Sequence, residues 1–310
     1  MAGMREQEPE RPIVILAAMA ANFGIAVAKF VAAAITGSSA MISEGIHSLV
    51  DTANEGLLLV GLRRSERSAD AAHPFGYGKE LYFWSFIVAI VIFGVGGGVA
   101  IYEGVTHILH PNPLEDPIVS YVVLAIALVL EGASWVIAFR AVSDTVEPGE
   151  HYIGAIRGSK DPSVVTVLLE DSAALAGLVV AAIGIFISHQ LDEPRIDGLA
   201  SIVIGLILAF VAVFLAAEAR GLLIGEGADP ELIDRLRQVA EADDEVEGVA
   251  DIRSMHLGPD HVVVTLKVRF EDREADRVAA TIERLEARLR AEDPRLGDVT
   301  MQPIRHDDEG

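Results

Sequence analysis

The stretch GLASIVIGLILAFVAVFLAA, residues 198–217, contains no charged side chain over its whole length, and it decides the class of fold. About 20 mostly apolar residues are enough for a helix to cross the hydrocarbon core of a membrane. Five other segments meet the same criterion. The sequence therefore predicts six membrane-spanning helices: Ile13–Ile35, Ser39–Leu62, Leu81–Thr106, Ile118–Phe139, Val164–Ile187 and Gly198–Ala217.

After residue 225 the pattern changes, because charged residues alternate with short apolar runs. Apolar residues at helical spacing predict helices over Pro230–Ala242 and Asp276–Ala291. Alternating or β-branched runs predict strands over Val249–Met255, Val262–Phe270 and Val299–Ile304. This α-β-β-α-β order favours a small α+β, ferredoxin-like domain. The predicted fold class is thus an α-helical membrane protein with six transmembrane helices and a small cytoplasmic α+β domain at its C-terminus.

These patterns divide the chain into four parts. We predict a cytoplasmic N-terminal tail (1–12), a transmembrane domain (13–225), a cytoplasmic α+β domain (226–304) and a disordered end (305–310). With the N-terminus in the cytoplasm, ten Lys and Arg residues lie in the cytoplasmic segments and only Arg195 lies in the opposite loops. Cytoplasmic loops carry such an excess. We therefore predict an integral protein of the plasma (inner) membrane with both termini cytoplasmic.

The composition excludes several functions. The chain has 46 Asp and Glu against 24 Lys and Arg, a net charge of −22. It lacks the basic surface that nucleic acids require, so nucleic acid is not expected as a partner, and cations are favoured. There is no cysteine, which excludes disulfide bonds, thiolate metal ligands and cysteine nucleophiles.

Ionisable residues inside the predicted helices point to a cation pathway. Each costs about 2.5–3.5 kcal/mol on insertion scales, so such residues usually have a function. Against one base, Lys29, stand seven acids: Glu44, Asp51, Glu55, Glu103, Glu131, Glu170 and Asp171. Carboxylates with one deep imidazole, that of His47, suit a divalent cation.

The second predicted helix concentrates these groups. The spacing of Glu44, His47, Asp51 and Glu55 places all four on one helix face, which Asn54 extends. An imidazole and a carboxylate at i and i+4 can hold one metal ion, so His47 and Asp51 are predicted ligands. The alternative is a polar patch that joins helices by hydrogen bonds.

The fifth predicted helix offers two adjacent carboxylates, Glu170 and Asp171. They differ by about 100° around the helix axis, so they cannot both point at one ion equally well. We predict that one is a ligand and that the other lines the approach or takes a proton. The alternative is that one of them pairs with Lys29. For Glu131, in the fourth helix, a structural or proton-relay role competes with ligation.

The chain resembles the cation diffusion facilitator family over nearly its whole length. The strongest stretches are TGSSAMISEGIHSLVDTANEGLLLVGLRRS, residues 36–65, and HPFGYGKELYFWSF, residues 73–86. The resemblance implies a homodimer that exports Zn²⁺ or a related divalent ion from the cytosol in exchange for protons. It implies no prosthetic group. The LLEDSAAL segment, residues 168–175, is similar to the branch that contains the mitochondrial zinc transporter relatives.

The resemblance also implies site residues. Members of the family bind the ion with an HxxxD or DxxxD pair on helix two and another on helix five. His47 and Asp51 match the first pair, and Asp171 matches the last residue of the second. The residue four positions before it is Val167, which cannot ligate, so Glu170 or a water would replace it. Such a site admits Zn²⁺ and also Co²⁺, Ni²⁺, Fe²⁺ or Mn²⁺.

Other features of the resemblance concern the C-terminal domain. The resemblance implies that Lys79, at the cytoplasmic start of helix three, forms a charge lock between subunits, with Glu226 as a candidate partner. The alternative is a lysine that extends to the membrane surface. His256 and His261 are weak candidates for a metal site in the tail, the alternative being solvated residues at strand ends. The rival functions are a membrane-embedded metallohydrolase and a metal sensor that signals through the tail. The absence of an HExxH motif argues against the first, and the small number of histidines in the tail argues against the second.

Overall fold

The structure, a computed structural model, describes residues 11–112, 117–143, 162–271 and 274–304. Most of the predicted N-terminal tail and the whole predicted disordered end, 305–310, lie outside these residues. The described residues form two compact units. The first contains residues 11–61, 84–143 and 162–218, and the second contains residues 62–83, 219–271 and 274–304.

Long helices make up the first unit. Within the described ranges they are α1 (Arg11–Thr36), α2 (Ser39–Ser65), α3 (Lys79–Leu109), α4 (Pro117–Ser143), α5 (Pro162–Leu191) and α6 (Arg195–Ile224). Each extends beyond the apolar segment predicted for it, because helical hydrogen bonding continues into the polar flanks. Of these, α3 to α6 are long and apolar enough to cross a membrane. The polar stripe of α2 lowers its hydropathy below that level.

Glycines bring α3 and α6 into backbone contact. A Cβ atom added at Gly104 would lie 2.5 Å from the carbonyl oxygen of Gly198, and one added at Gly205 would lie 2.8 Å from that of Gly97. Each helix therefore presents two glycines seven residues apart, about two turns, to the other. The hydrophobic effect does not drive helices together in lipid, so membrane helices associate by close van der Waals packing, which small residues allow.

A buried carboxylate holds the beginning of α2. Asp197, at the start of α6, accepts hydrogen bonds from the Ser39 backbone N–H (2.5 Å) and from the Ser38 hydroxyl (2.7 Å). It therefore caps α2 from another helix, and its charge lies at the positive end of the α2 dipole. Gly37 allows the sharp turn before α2, since its φ of 71° is in the left-handed region. These contacts set which face of α2 points into the unit.

The second unit contains the C-terminal elements α7 (Pro230–Glu241), β1 (Val246–Gly258), β2 (His261–Phe270), α8 (Ala275–Glu292) and β3 (Leu296–Pro303). Strand β2 lies in the middle of the sheet, antiparallel to β1 and parallel to β3. Leu266 of β2, Leu236 of α7 and Leu285 of α8 are fully buried together. Strand β1 is longer than predicted, because its pairing with β2 runs from Val246 to the tight turn at Gly258.

An ion-pair network joins α7, α8 and the start of β1. The Asp243 carboxylate accepts hydrogen bonds from Arg284 Nε (3.0 Å) and Nη2 (2.9 Å) and from Arg288 Nη1 (3.0 Å). The Arg284 guanidinium holds the pKa of Asp243 below its ordinary value. Asp243 is buried, so its charge depends on these partners.

We expect the substitution Gly104→Ala to destabilise the first unit. The new methyl group would meet the backbone of α6, and overpacking of this kind costs about 1–3 kcal/mol. Gly24→Ala is the matched control, because a Cβ atom there meets nothing within 4 Å. Thermal unfolding of the purified chain in lipid nanodiscs, followed by circular dichroism, measures both. Equal shifts for the two variants would contradict the packing described here.

We expect Asp243→Asn to loosen the second unit at neutral pH. A lowered pKa in the folded state means that the carboxylate stabilises the fold above the unfolded aspartate value, about 3.9. That contribution is lost as the pH falls through the still lower folded value. The variant should therefore show weaker hydrogen-exchange protection in β1 and β2 at neutral pH, and less further loss in acid. Asp251→Asn, which breaks a surface pair with Arg253, is the control and should change little.

Candidate metal site in the transmembrane unit

The polar face of α2 points into the first unit. Glu44 and His47 are almost completely buried, at 0% and 1% exposure, and the Asp51 side chain is 18% exposed. They lie at successive turns, as the spacing predicts. The buried helix face therefore carries the groups that were selected from the sequence as candidate ligands.

His47 and Asp51 form the centre of this face. Nδ1 of His47 lies 3.3 Å from Oδ1 of Asp51. Neither of these atoms, nor His47 Nε2, has a hydrogen-bond partner among the described residues. Buried polar atoms nearly always have a partner, so atoms without one call for an explanation. A nitrogen and an oxygen of this kind fit a divalent cation, which both prefer as a partner when deprotonated.

The two carboxylates of α5 point to different helices. Glu170 is buried, and its Oε1 accepts a hydrogen bond of 2.6 Å from Asn54 Nδ2 on α2. Asp171 Oδ2 accepts one of 2.9 Å from Ser134 Oγ on α4. The separation of about 100° between neighbours on a helix explains the difference. Glu170 is therefore the α5 carboxylate in contact with the polar face of α2.

Lys29 does not pair with either α5 carboxylate in the structure. Its ammonium group lies 3.0 Å from Glu44 Oε2 and 2.9 Å from Glu131 Oε1. The described contacts therefore do not support the alternative interpretation, in which Lys29 neutralises Glu170 or Asp171. Glu44 and Glu131 are engaged in this ion-pair cluster.

Other acids lie towards the edges of the unit. Glu55, one turn beyond Asp51, accepts a hydrogen bond of 2.8 Å from Asn22 Nδ2 on α1, and its other oxygen has no partner among the described residues. Glu103, on α3, is partly exposed. Glu55 is thus positioned to attract a cation next to the polar face of α2.

The candidate ligands are not gathered into one cluster. Over the part of the chain that the structure describes, no three His, Asp or Glu side chains converge closely enough to hold a metal ion. The geometry consists of two pairs, His47 with Asp51 and Asn54 with Glu170. A metal ion would have to draw the second pair towards the first.

Three polar residues near these groups were not selected from the sequence: Asn22, Ser48 and Ser134. Asn22 bonds Glu55, Ser48 bonds Lys29, and Ser134 bonds Asp171. For two of them the spacing could have indicated a role, because Ser48 follows Glu44 by four residues and Ser134 follows Glu131 by three. Residues so spaced share a helix face with an ionisable group.

The candidates in the second unit have other contacts. Lys79 Nζ lies 3.5 Å from Met255 Sδ, and the Glu226 backbone carbonyl accepts a hydrogen bond of 2.9 Å from the His256 N–H. His256 is buried on β1, so it is not a solvated strand-end residue. His261 Nε2 lies 3.2 Å from Asp298 Oδ2. A charge lock through Lys79 and a metal site in the tail both stay predictions.

Comparison with known families gives two matches. The family model of the cation efflux transmembrane domain matches residues 15–224, and that of the cytoplasmic domain of cation efflux proteins matches residues 228–303. Together they cover almost the whole of the described chain.

Curated relatives agree with these matches. The human protein named proton-coupled zinc antiporter SLC30A9, mitochondrial, is 35% identical over 84% of this chain and 46% of its own length. Metal tolerance protein C4 of Arabidopsis thaliana is 33% identical over 83% of this chain and 56% of its own. Magnetosome protein MamM of Paramagnetospirillum magneticum is 28% identical over 78% and 72%. The chain spans about half the length of the first of these relatives.

These relatives bear on the predicted location. A membrane protein is supported by the transmembrane family model and by the apolar helices α3 to α6. The name of the human relative places that protein in mitochondria, so the comparisons do not support the predicted plasma membrane.

The two family models decide the family of this chain. The transmembrane model matches residues 15–224 and the cytoplasmic model matches residues 228–303. The chain therefore belongs to the cation efflux family, the cation diffusion facilitators.

Proposed function

We propose that this protein is a secondary active transporter that exports Zn²⁺ from the cytosol in exchange for protons by alternating access. The observation that carries the proposal is the buried pair of His47 and Asp51, whose nitrogen and oxygen atoms lack hydrogen-bond partners among the described residues. Membership of the cation efflux family and the name of the human relative, a proton-coupled zinc antiporter, support it.

The proposed arrangement in the membrane follows the helices. All of α1 to α6 cross the bilayer. Because six is an even number of crossings, both termini lie on the same side, and we assign that side to the cytoplasm. The transmembrane domain is residues 13–225 and the cytoplasmic domain residues 226–304, and two copies of the chain form a homodimer. The excess of Lys and Arg on one side supports the orientation. The match of residues 228–303 to a cytoplasmic domain supports the division.

The proposed ligands are His47, Asp51 and Glu170, with Asp171 and Glu55 along the approach. Glu170 would supply the ligand that Val167 cannot, and its contact with Asn54 supports this assignment. Zinc accepts histidine nitrogen and carboxylate oxygen at about 2.0–2.2 Å. In the absence of cysteine, all protein ligands are nitrogen or oxygen.

The proposed exchange follows from competition for the same lone pairs. A neutral imidazole and ionised carboxylates bind a metal ion, whereas their protonated forms do not. The site takes the ion from the cytosol while it is deprotonated. After the helices rearrange to open the other side, protons displace the ion and return with the protein.

A second candidate is the transport of another divalent ion. The histidine and carboxylate set, with Val167 in place of a further ligand, admits Co²⁺, Ni²⁺, Fe²⁺ or Mn²⁺ as well. Competition between these ions and Zn²⁺ during transport, measured at two pH values, distinguishes the two candidates.

We expect Asp51→Asn to abolish metal transport, because the amide has neither the charge nor the full ligand strength of the carboxylate. The measurement is zinc uptake into proteoliposomes with a pH gradient, followed with a zinc-sensitive dye inside. The control is Glu103→Gln, which removes a partly exposed acid of α3 outside the proposed site. Transport by Asp51→Asn at the rate of the native protein would contradict the proposal.

We expect the neighbours Glu170 and Asp171 to differ in their effects on metal affinity. Glu170→Gln should weaken equilibrium zinc binding severely, because it removes a ligand. Asp171→Asn should preserve binding and slow uptake, because Asp171 bonds Ser134 on α4 rather than the face of α2. Isothermal titration with zinc and the flux assay together separate the two roles. Loss of binding in Asp171→Asn, with binding preserved in Glu170→Gln, would reverse the assignment.

A further inference from the structure

The ammonium group of Lys29 is the centre of a buried cluster that the metal ligands do not need. It donates hydrogen bonds to Glu44 Oε2 (3.0 Å), Ser48 Oγ (2.8 Å) and Glu131 Oε1 (2.9 Å). Lys29 and Glu44 are completely buried, and Glu131 is 8% exposed. The cluster joins α1, α2 and α4.

Two carboxylate oxygens of this cluster accept no hydrogen bond from the described residues. A lysine ammonium has three N–H donors, and all three are used. Glu44 Oε1 and Glu131 Oε2 are buried and have no hydrogen-bond partner among the described residues. With both glutamates ionised, the cluster would hold one uncompensated negative charge. Two carboxylates that share a site in an apolar interior tend to bind a proton, because like charges repel and desolvation is costly.

We propose that the cluster of Lys29, Glu44 and Glu131 binds one proton, shared by its two carboxylates, at a site separate from the metal ligands, and that binding of a divalent cation to His47, Asp51 and Glu170 releases it. This inference rests on the proposed function. It adds a proton that is not held by any metal ligand.

The position of Glu131 connects the cluster to the acids of the metal site. On α4 it lies one turn before Ser134, which bonds Asp171, so this face of α4 looks towards α5. Glu131 interacts electrostatically with Asp51 and with Asp171. Glu44, by contrast, is directed at Gly177 of α5, where its Oε1 leaves no room for a Cβ atom.

Charged and titratable groups lie around the cluster on four helices. Glu131 of α4 interacts electrostatically with Lys29 of α1, Glu44 and Asp51 of α2, and Asp171 of α5. His47 of α2 interacts with Lys29, and Glu170 of α5 interacts with Asp51. Apart from Lys29 they are acids and one imidazole. A proton shared by Glu44 and Glu131 reduces the repulsion among the acids when no metal ion is bound.

A bound cation reverses this balance. A divalent ion at His47 and Asp51 places two positive charges near Glu131, in surroundings where charges interact strongly. The ion and the proton therefore disfavour each other, and the effect is reciprocal. A proton returning to the cluster weakens binding of the ion, and this coupling adds to the competition between protons and the ion at the ligands.

The test counts the protons that zinc displaces. Titration calorimetry of the full chain in nanodiscs, repeated in buffers of different ionisation enthalpy, gives the number released for each zinc bound. Glu131→Gln should release about one proton fewer than the native protein, since metal binding releases only the protons that its groups hold. Zinc binding itself should be retained. In proteoliposomes the same variant should accumulate less zinc than the native protein at the same pH gradient, because one coupled proton is lost, while keeping flux down a zinc gradient.

A second variant and a control separate charge from structure. Glu44→Gln leaves Lys29 and Glu131 as a balanced pair, so its proton count should fall by the same amount. Ser48→Ala removes a hydrogen bond from Lys29 without changing any charge, and its count should equal that of the native protein. If Ser48→Ala lowers the count as much as the glutamine variants, the cluster acts by positioning other groups and the inference is overturned.

The outcomes also distinguish this inference from the proposed function. If the native chain neither binds nor transports zinc, the proposed function fails. If the native chain does both and the two glutamine variants release as many protons as it does, only the separate proton site fails. Its support is a deficit of one proton in both variants together with preserved zinc binding.

Discussion

The ion pairs of the Lys29 ammonium group with Glu44 and Glu131 are the interaction on which the transmembrane unit most depends. Unsatisfied charges cannot remain in an apolar interior, and this one base binds acids from α2 and α4 simultaneously. It thereby fixes three helices relative to each other. Asp51 and Glu170 are among the acids that do not contact Lys29 in the described structure, and both lie largely out of solvent.

The rest of the framework holds α2 in place around this cluster. Asp197 caps the beginning of α2 from α6, and glycines let α6 approach α3 along its length. Neither contact involves a candidate ligand. The Asp197 contacts fix the rotation of α2, however, and a helix rotated by one residue would turn His47 away by about 100°. A metal site built on one helix face requires a framework of this kind.

Much of the candidate site could be predicted from the sequence because it lies on single helices. The spacing of Glu44, His47 and Asp51 defines a common face whatever the tertiary structure. The bounds of α7 and β2 were also predicted to within about two residues, an accuracy that strong local periodicity allows. The extra length of β1 was missed, since strand ends are set by the partner strand and not by local sequence.

The sequence by itself determined that the protein is a helical membrane protein with a small domain containing a β-sheet after the helices, the family, and the face of α2 on which the candidate ligands lie. Composition, motifs and spacing along one helix are enough for each of these. Only the tertiary structure decided the pairings between helices. It assigned Lys29 to Glu44 and Glu131, Glu170 to Asn54, and Asp171 to Ser134. The physical reason is that ion pairs between helices depend on rotation and depth, which no periodicity within one helix encodes.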